Sequence, residues 1–238
     1  MLYADLIDSV ALLKGKKSAT LADYWPYSAD ELTPGRLAAE QIAPYSAIMA
    51  ASQPMLADEV LHSYDISRYG CLLDIGGGEG VFIAAAAKFA PDLSFKLFDL
   101  PAVAERAREN IKRAQLSSHV DIFGGNFLRD KLPLGADIVT LIRIIHDHDD
   151  QSAITLLKNI RSSLEVGAKL LIVEAMSGIK DAEPLDAYYG FYTLAMGRGM
   201  PRRVDEMKLL LMQSGFGACK LIHNALPTLT SILEATAI

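Results

Sequence analysis

Cys71-Leu72-Leu73-Asp74-Ile75-Gly76-Gly77-Gly78-Glu79-Gly80 decides how this chain is read. A short apolar run ends in an acid, and four glycines follow within five positions. An apolar, alanine-rich segment then runs from Val81 to Ala90. The pattern predicts a strand, a tight turn and a helix. Glycine is needed where a chain turns sharply and where backbone must lie against a ligand. In open α/β sheets, ligands sit outside the carboxyl ends of the strands, where strand order reverses. The loop is therefore the predicted ligand cradle.

The loop lacks the Gly-Lys-Ser/Thr ending of a nucleoside triphosphate P-loop. Its spacing, Gly76-x-Gly78-x-Gly80, also departs from the dinucleotide pattern G-x-G-x-x-G, with no small residue at position 81. The apolar base and the Asp-x-Gly-x-Gly-x-Gly form point instead to an S-adenosylmethionine loop, with Asp74, Gly76 and Gly78 as candidate contacts. A second acid, Asp99, ends Phe95-Lys96-Leu97-Phe98-Asp99-Leu100. An acid at the end of the next parallel strand can accept bonds from ribose hydroxyls.

From residue 71 onward, strand and helix patterns alternate, the mark of a parallel sheet. Strands are predicted at about 71–75, 94–98, 119–123, 136–142, 168–174, 218–223 and 228–235, and helices at about 79–89, 101–115, 150–164, 183–197 and 203–214. Asn224-Ala225-Leu226-Pro227 is too short for a parallel crossover, so the last two strands form a hairpin. The expected fold is α/β: a Rossmann-like, seven-stranded, mostly parallel sheet with one antiparallel strand and helices on both faces. Helical spacing also runs from Leu37 to Leu61, where Pro44 and Pro54 argue for breaks or helix starts. Before it, Tyr24-Trp25-Pro26-Tyr27 and Thr33-Pro34-Gly35 read as an aromatic anchor and punctuation in a linker.

The 238 residues, 51% of them hydrophobic, suffice for one α/β core. Net charge is −6, and Lys14, Lys16 and Lys17 are too few for a basic run, which argues against a nucleic-acid partner. Asp5 and Asp8 interrupt the first apolar residues, unlike a secretory signal. No apolar run approaches the roughly 18–20 residues of a membrane span. Cys71 and Cys219 form no metal or disulfide pattern, which fits the cytoplasm.

The fourth strand runs into His146-Asp147-His148-Asp149-Asp150, on the same rim as the glycine loop, and the next strand ends at Glu174. A histidine base oriented by a carboxylate from the adjacent strand end is a sensible pair. Either Asp149 or Asp150 is expected to cap the following helix. On a further rim loop, Asn126 could bond an adenine edge and Phe127 could pack on its face. Arg143 is expected to face a carboxylate, from a bound amino acid or a structural Asp. Met49 and Ser52 are candidate contacts over the mouth. The late helix, with Tyr188, Tyr189, Phe191, Tyr192 and Met196, suits an apolar substrate pocket. Gly197-Arg198-Gly199-Met200-Pro201-Arg202-Arg203 reads as a flexible, basic loop.

With these residues in view, the chain resembles the plant-type and bacterial small-molecule O-methyltransferases that use S-adenosylmethionine. The resemblance covers roughly 37–236. It rests on Leu73-Asp74-Ile75-Gly76-Gly77-Gly78-Glu79-Gly80, Phe98-Asp99-Leu100-Pro101, Gly124-Gly125-Asn126-Phe127 and His146-Asp147-His148-Asp149-Asp150. The segments Trp25-Pro26-Tyr27, Tyr45-Ser46-Ala47-Ile48-Met49-Ala50-Ala51-Ser52 and Phe191-Tyr192-Thr193-Leu194-Ala195-Met196 look most like the carotenoid methyltransferases of purple bacteria that act on hydroxyneurosporene or demethylspheroidene.

The resemblance implies His146 as general base and Glu174 as its support. It implies Asp74, Gly76, Gly78, Asp99, Leu100, Asn126, Phe127 and Arg143 around S-adenosylmethionine, with S-adenosylhomocysteine as product. Met49, Tyr192 and Met196 would meet a lipophilic, hydroxylated substrate, and no metal is implied. Residues 36–238 would be the methyltransferase domain. Residues 1–35 would be a linker or the remnant of an N-terminal segment through which family members form homodimers, most of it missing here. The chain departs from the family at His148, where plant members have Trp, and at Asn126, where they have Asp. It departs again at Pro201-Arg202, where they have a second acid supporting the histidine.

Two other classes stay open. His146-x-His148-x-Asp150 resembles part of a dinuclear zinc hydrolase signature, although Gln151 stands where a further His belongs. A cofactor-binding fragment without turnover is the other. The acceptor also stays open among a carotenoid hydroxyl, a phenol and a tetrapyrrole carbon.

Overall fold

Three apolar runs form the middle of a sheet: β1 (Cys71–Ile75), β4 (Ile138–Ile142) and β5 (Lys169–Glu174). Beside them lie β2 (Ser94–Asp99), β3 (Val120–Gly124), β6 (Phe216–Ile222) and β7 (Ser231–Ala237). The computed structural model describes residues 2–15, 19–24, 39–180 and 182–238. Among these the sheet has seven strands in the order β3-β2-β1-β4-β5-β7-β6. β1 to β5 pair in parallel, and β7 runs antiparallel between β5 and β6. The expected hairpin is present, with a longer connection than predicted, spanning 223–230.

Central strands are apolar on both sides because both faces are covered. Side chains alternate across a strand. Leu73 and Ile75 therefore join Val139, Leu141, Leu170 and Ile172 on one face, against Leu156, Leu157 and Ile160 of α7 (Asp150–Ser163) and Leu211 of α9 (Val204–Gln213). Leu72, Ile138, Ile142 and Leu171 pack on the other. There they meet Ala57 and Val60 of α4 (Ala39–Ser63), Phe82 and Ile83 of α5 (Val81–Phe89), and Ile111 of α6 (Pro101–Arg113). Local signals start the helices: Pro101 occupies the first turn of α6, and Asp149 caps α7 by accepting from the Ser152 amide at 2.8 Å.

One expectation is corrected. α4 is one continuous helix through Pro44 and Pro54. Proline removes an amide donor and crowds the preceding turn. The carbonyl that Pro54 leaves without its amide is that of Ala50. One residue earlier, the Met49 carbonyl accepts from Ser52 Oγ at 3.1 Å and from Arg143 Nη2 at 3.1 Å, which ties this turn to the sheet. The early residues also include three short helices, α1 (Leu2–Leu6), α2 (Ser9–Leu13) and α3 (Thr20–Tyr24). Leu12, Ala19 and Leu21 pack on Ala195 and Met196 of α8 (Glu183–Met196). Trp25-Pro26-Tyr27 and Thr33-Pro34-Gly35 lie outside the described residues. Among the described residues, no helix is long and apolar enough to cross a membrane.

Strand order reverses between β1 and β4. The loops after β1 to β5 therefore gather on one rim, around the crevice where a parallel sheet holds its ligands.

Candidate functional site

The glycine loop leaves β1 with Gly76, Gly78 and Gly80 all at positive φ (69°, 57° and 79°). A Cβ at Gly76 would collide with the Ile144 side chain, whereas one at Gly78 would meet nothing within 4 Å among the described residues. Gly76 thus lets two rim loops touch, and Gly78 leaves open room. Asp99 stitches the loop to β2: its Oδ2 accepts from the Gly78 amide at 2.8 Å and its Oδ1 from the Leu100 amide at 2.7 Å. Burial raises the Asp99 carboxyl to about 6 against the lowering effect of these two amides.

Asp74 takes a different place from the one expected. It sits beneath the loop, 2% exposed, and does not line the cleft. Asp74 and Thr140 are register partners across β1 and β4, so their side chains share a face. Thr140 Oγ1 donates to Asp74 Oδ1 at 2.7 Å. Burial, with the nearby Asp99 charge, raises Asp74 to about 7 despite that bond.

The cleft encloses about 1160 Å³ including its open mouth. Of the candidates, Met49, Gly76, Gly78, Asp99, Leu100, Asn126, Phe127 and Arg143 line it. Asn126 Oδ1 is engaged by the Leu128 amide at 2.9 Å, a local turn. Phe127 meets the His148 ring edge-on, with centroids 5.5 Å apart.

Arg143 has φ 58°, a left-handed conformation costly for a side chain with a Cβ, just past the end of β4. Instead of a structural Asp, its guanidinium meets neutral acceptors on α4. Its Nη1 donates to Ser52 Oγ at 2.8 Å, and its Nη2 to Gln53 Oε1 at 2.6 Å and to the Met49 carbonyl. These bonds tie α4 to the rim, and Gln53 lines the cleft as well.

His146 lies in a short 3-10 turn, Ile145–Asp147. Its Nδ1 is hydrogen-bonded to Glu174 Oε2. Glu174 is 2% exposed, and its Oε1 accepts from the Ile144 and Ile145 amides at 2.8 and 2.7 Å. One carboxylate therefore fixes both the turn and the ring. His146 Nε2 lies 3.2 Å from Asp147 Oδ1, and Asp147 lines the cleft. Burial opposes charge on the ring, but Glu174 and Asp147 outweigh it and raise His146 to about 9. Burial likewise raises Asp147 above the usual carboxylate range, against the lowering effect of His146.

Asp147 is a site residue that sequence reasoning missed. It lay in an acidic run credited to helix capping, and its position next to His146 was the available signal. With it, the ring has a second carboxylate neighbour, although the resemblance left only one. Asp150, the last member of the zinc-like pattern, is turned away to Arg202 Nη2 at 2.8 Å.

The α8 aromatics divide. Tyr188 stacks on Tyr192, with centroids 6.2 Å apart. Burial, with the Asp147 charge, raises the Tyr192 phenol; Tyr192 packs against the cluster of Leu12, Ala195 and Met196 and is not among the residues lining the cleft. Met196 is corrected: it is 1% exposed, packed with Leu12 and Leu21, and absent from the cleft. The helix face on which it lies is covered by α1 to α3. The loop after α8, expected to be flexible, is bonded into the base turn through Arg202, which donates to the Ile145 and His148 carbonyls.

Residues 27–217 match the family model of the O-methyltransferase domain. The chain is 38% identical to a demethylspheroidene O-methyltransferase of Cereibacter sphaeroides, covering 99% of this chain and 62% of that one. It is also 38% identical to its namesake from Rhodobacter capsulatus, covering 99% and 58%. It therefore spans about three fifths of the length of these relatives. A neocarzinostatin-biosynthesis O-methyltransferase, solved with S-adenosylmethionine and 2-hydroxy-5-methyl naphthoic acid, superposes with a TM-score of 0.73 at 27% identity. That superposition covers 84% of this chain and 58% of the other. With a glycine loop, an acid at the end of β2 and a carboxylate-bound histidine on one rim, the chain belongs to the O-methyltransferase domain family.

Proposed function

We propose that this chain moves a methyl group from S-adenosylmethionine to a hydroxyl of a lipophilic small molecule, with a hydroxylated carotenoid as acceptor and His146 as general base. The observation that carries the reading is the Glu174-bound His146 ring, whose Nε2 lies 3.2 Å from Asp147, a residue lining the cleft built on the glycine loop. The demethylspheroidene O-methyltransferases among the relatives support the acceptor class.

The residues present fit the cofactor. The open side of Gly78 offers room for close backbone approach, and Asp99 offers an acid for ribose hydroxyls. Asn126 and Phe127 line the cleft where an adenine would lie. Bound S-adenosylmethionine supplies an electrophilic methyl group. The chain's own part is to align a hydroxyl with that methyl and to take its proton. Alignment of two bound reactants is the larger contribution. Met49 and Tyr192 flank the acceptor. His146 Nε2 accepts the hydroxyl proton while Glu174 holds Nδ1 and stabilises the resulting imidazolium. Asp147 stabilises the same charge from the other nitrogen.

The reading includes a cytoplasmic location, supported by the unpaired Cys71 and Cys219. Homodimer formation rests on the family resemblance alone, and light scattering tests it.

Calorimetric titration with S-adenosylmethionine and S-adenosylhomocysteine, on wild type and Asp99→Ala, tests the cofactor half. Binding that the variant loses supports the reading; a wild type that binds neither contradicts it. Methyl transfer to demethylspheroidene then tests the acceptor.

A further inference from the structure

We infer that Arg202 and Gly199, on the loop between α8 and α9, are positioning residues that hold the base turn in register with the cleft. The inference rests on the reading of His146 as the base. The turn Ile145–Asp147 is pinned from its amide side by Glu174, through the Ile144 and Ile145 amides. It is pinned from its carbonyl side by Arg202. The guanidinium, 3% exposed, spends each nitrogen on this segment. Nη1 donates to the Ile145 carbonyl at 3.0 Å, Nη2 to the His148 carbonyl at 2.7 Å, and Nε to Asp150 Oδ1 at 2.9 Å. The two carbonyls flank His146 and Asp147.

The two clamps share one frame. The Arg202 carbonyl accepts from the Ser177 amide at 2.9 Å, three residues beyond Glu174. Gly199, at φ 75°, lets the loop lie on the turn: a Cβ there would collide with the His146 carbonyl oxygen and stand 2.7 Å from the Asp147 carbonyl carbon. A rigid planar fork reaches three acceptors in fixed directions, which a lysine ammonium cannot reproduce. Among the described residues Arg202 bonds the base turn and not the glycine loop or Asp99, and it reaches the cleft lining only through the His148 carbonyl, so its loss is expected to act on the base more than on cofactor binding.

Arg202→Lys tests this in the full chain, with S-adenosylhomocysteine and demethylspheroidene as probes. The expected result is an unchanged S-adenosylhomocysteine affinity with kcat lower by about 10- to 100-fold, the scale of a misplaced reacting group. Nitrogen-15 titration of the His146 ring gives a readout that a merely structural residue would not move. Its midpoint, which Glu174 and Asp147 hold above the ordinary value of about 6.5 in wild type, should fall toward that value as the ring loosens from Glu174. Unchanged kcat per folded molecule with an unchanged midpoint overturns the inference. If Arg202→Lys fails to fold, Asp150→Ala, which removes the exposed carboxylate shared by Nε and Nη2 and leaves both carbonyl bonds, is read in its place. It should show the same two changes, smaller; neither change overturns the inference. His146→Ala is run alongside: retained turnover there overturns the base reading itself, whereas its loss with an unaffected Arg202→Lys overturns the positioning role alone.

Discussion

Asp99 accepts the Gly78 amide at 2.8 Å, so the acid that ends β2 also shapes the glycine loop beside β1. Asp74, which lies closer to the glycines in sequence, sits beneath the loop and bonds Thr140. The two acids should separate on substitution. Asp99→Ala removes a charge-assisted acceptor worth about 1.5–3 kcal/mol, equivalent to roughly 10- to 150-fold in S-adenosylhomocysteine affinity. Asp74→Asn keeps the shape and a Thr140 partner, and its affinity should remain close to wild type. Calorimetry on both variants checks this.

His146 is protonated at neutral pH because Glu174 and Asp147 raise it to about 9. A base must be neutral to accept a proton, so kcat should climb with pH through that value and level off above it. Asp147→Asn removes one raising charge and should move the limb to lower pH. A pH–rate profile of the two proteins checks the sign; a limb that moves upward contradicts it.

The same shift is linked to stability. A group with a raised folded pKa stabilises fully below its unfolded value, about 6.5 for histidine, and loses that contribution as pH rises through the folded value. The melting-temperature advantage of wild type over His146→Gln should therefore be largest near pH 6 and should shrink by pH 9.5. Thermal unfolding across that range provides the test.

Gly199 should tolerate no side chain. Gly199→Ala must strain a left-handed backbone position, at about 1–3 kcal/mol, and must also push the loop off the His146 and Asp147 backbone. Expected are a lower melting temperature and a loss of turnover beyond what the unfolded fraction explains. Gly15→Ala, also at positive φ but with nothing among the described residues near its Cβ, is expected to carry only the strain and to leave turnover per folded molecule unchanged.

The sheet was legible because its central strands are largely apolar on both faces and two of them, β1 and β5, run into glycine or end in an acid. Those two features report burial and rim position directly. The pairing of His146 with Glu174 was legible for the same reason, since adjacent strand ends bring their last residues together. What sequence did not convey depended on partners distant along the chain. Strand register turned Asp74 toward Thr140 rather than the cleft. Met196 was hidden by helices some 180 residues earlier in the chain. Arg143 found neutral acceptors on α4, and Arg202 found carbonyls, which no residue type announces.

The most direct measurement is transfer of a labelled methyl group from S-adenosylmethionine to demethylspheroidene, by wild type and by His146→Ala, with S-adenosylhomocysteine binding measured on both. Label in the product with wild type, and its loss by about 100-fold or more in a variant that still binds S-adenosylhomocysteine, is the predicted result. Equal transfer by the two proteins would contradict His146 as the base. Cofactor binding without transfer by wild type would contradict the proposed reaction on this acceptor.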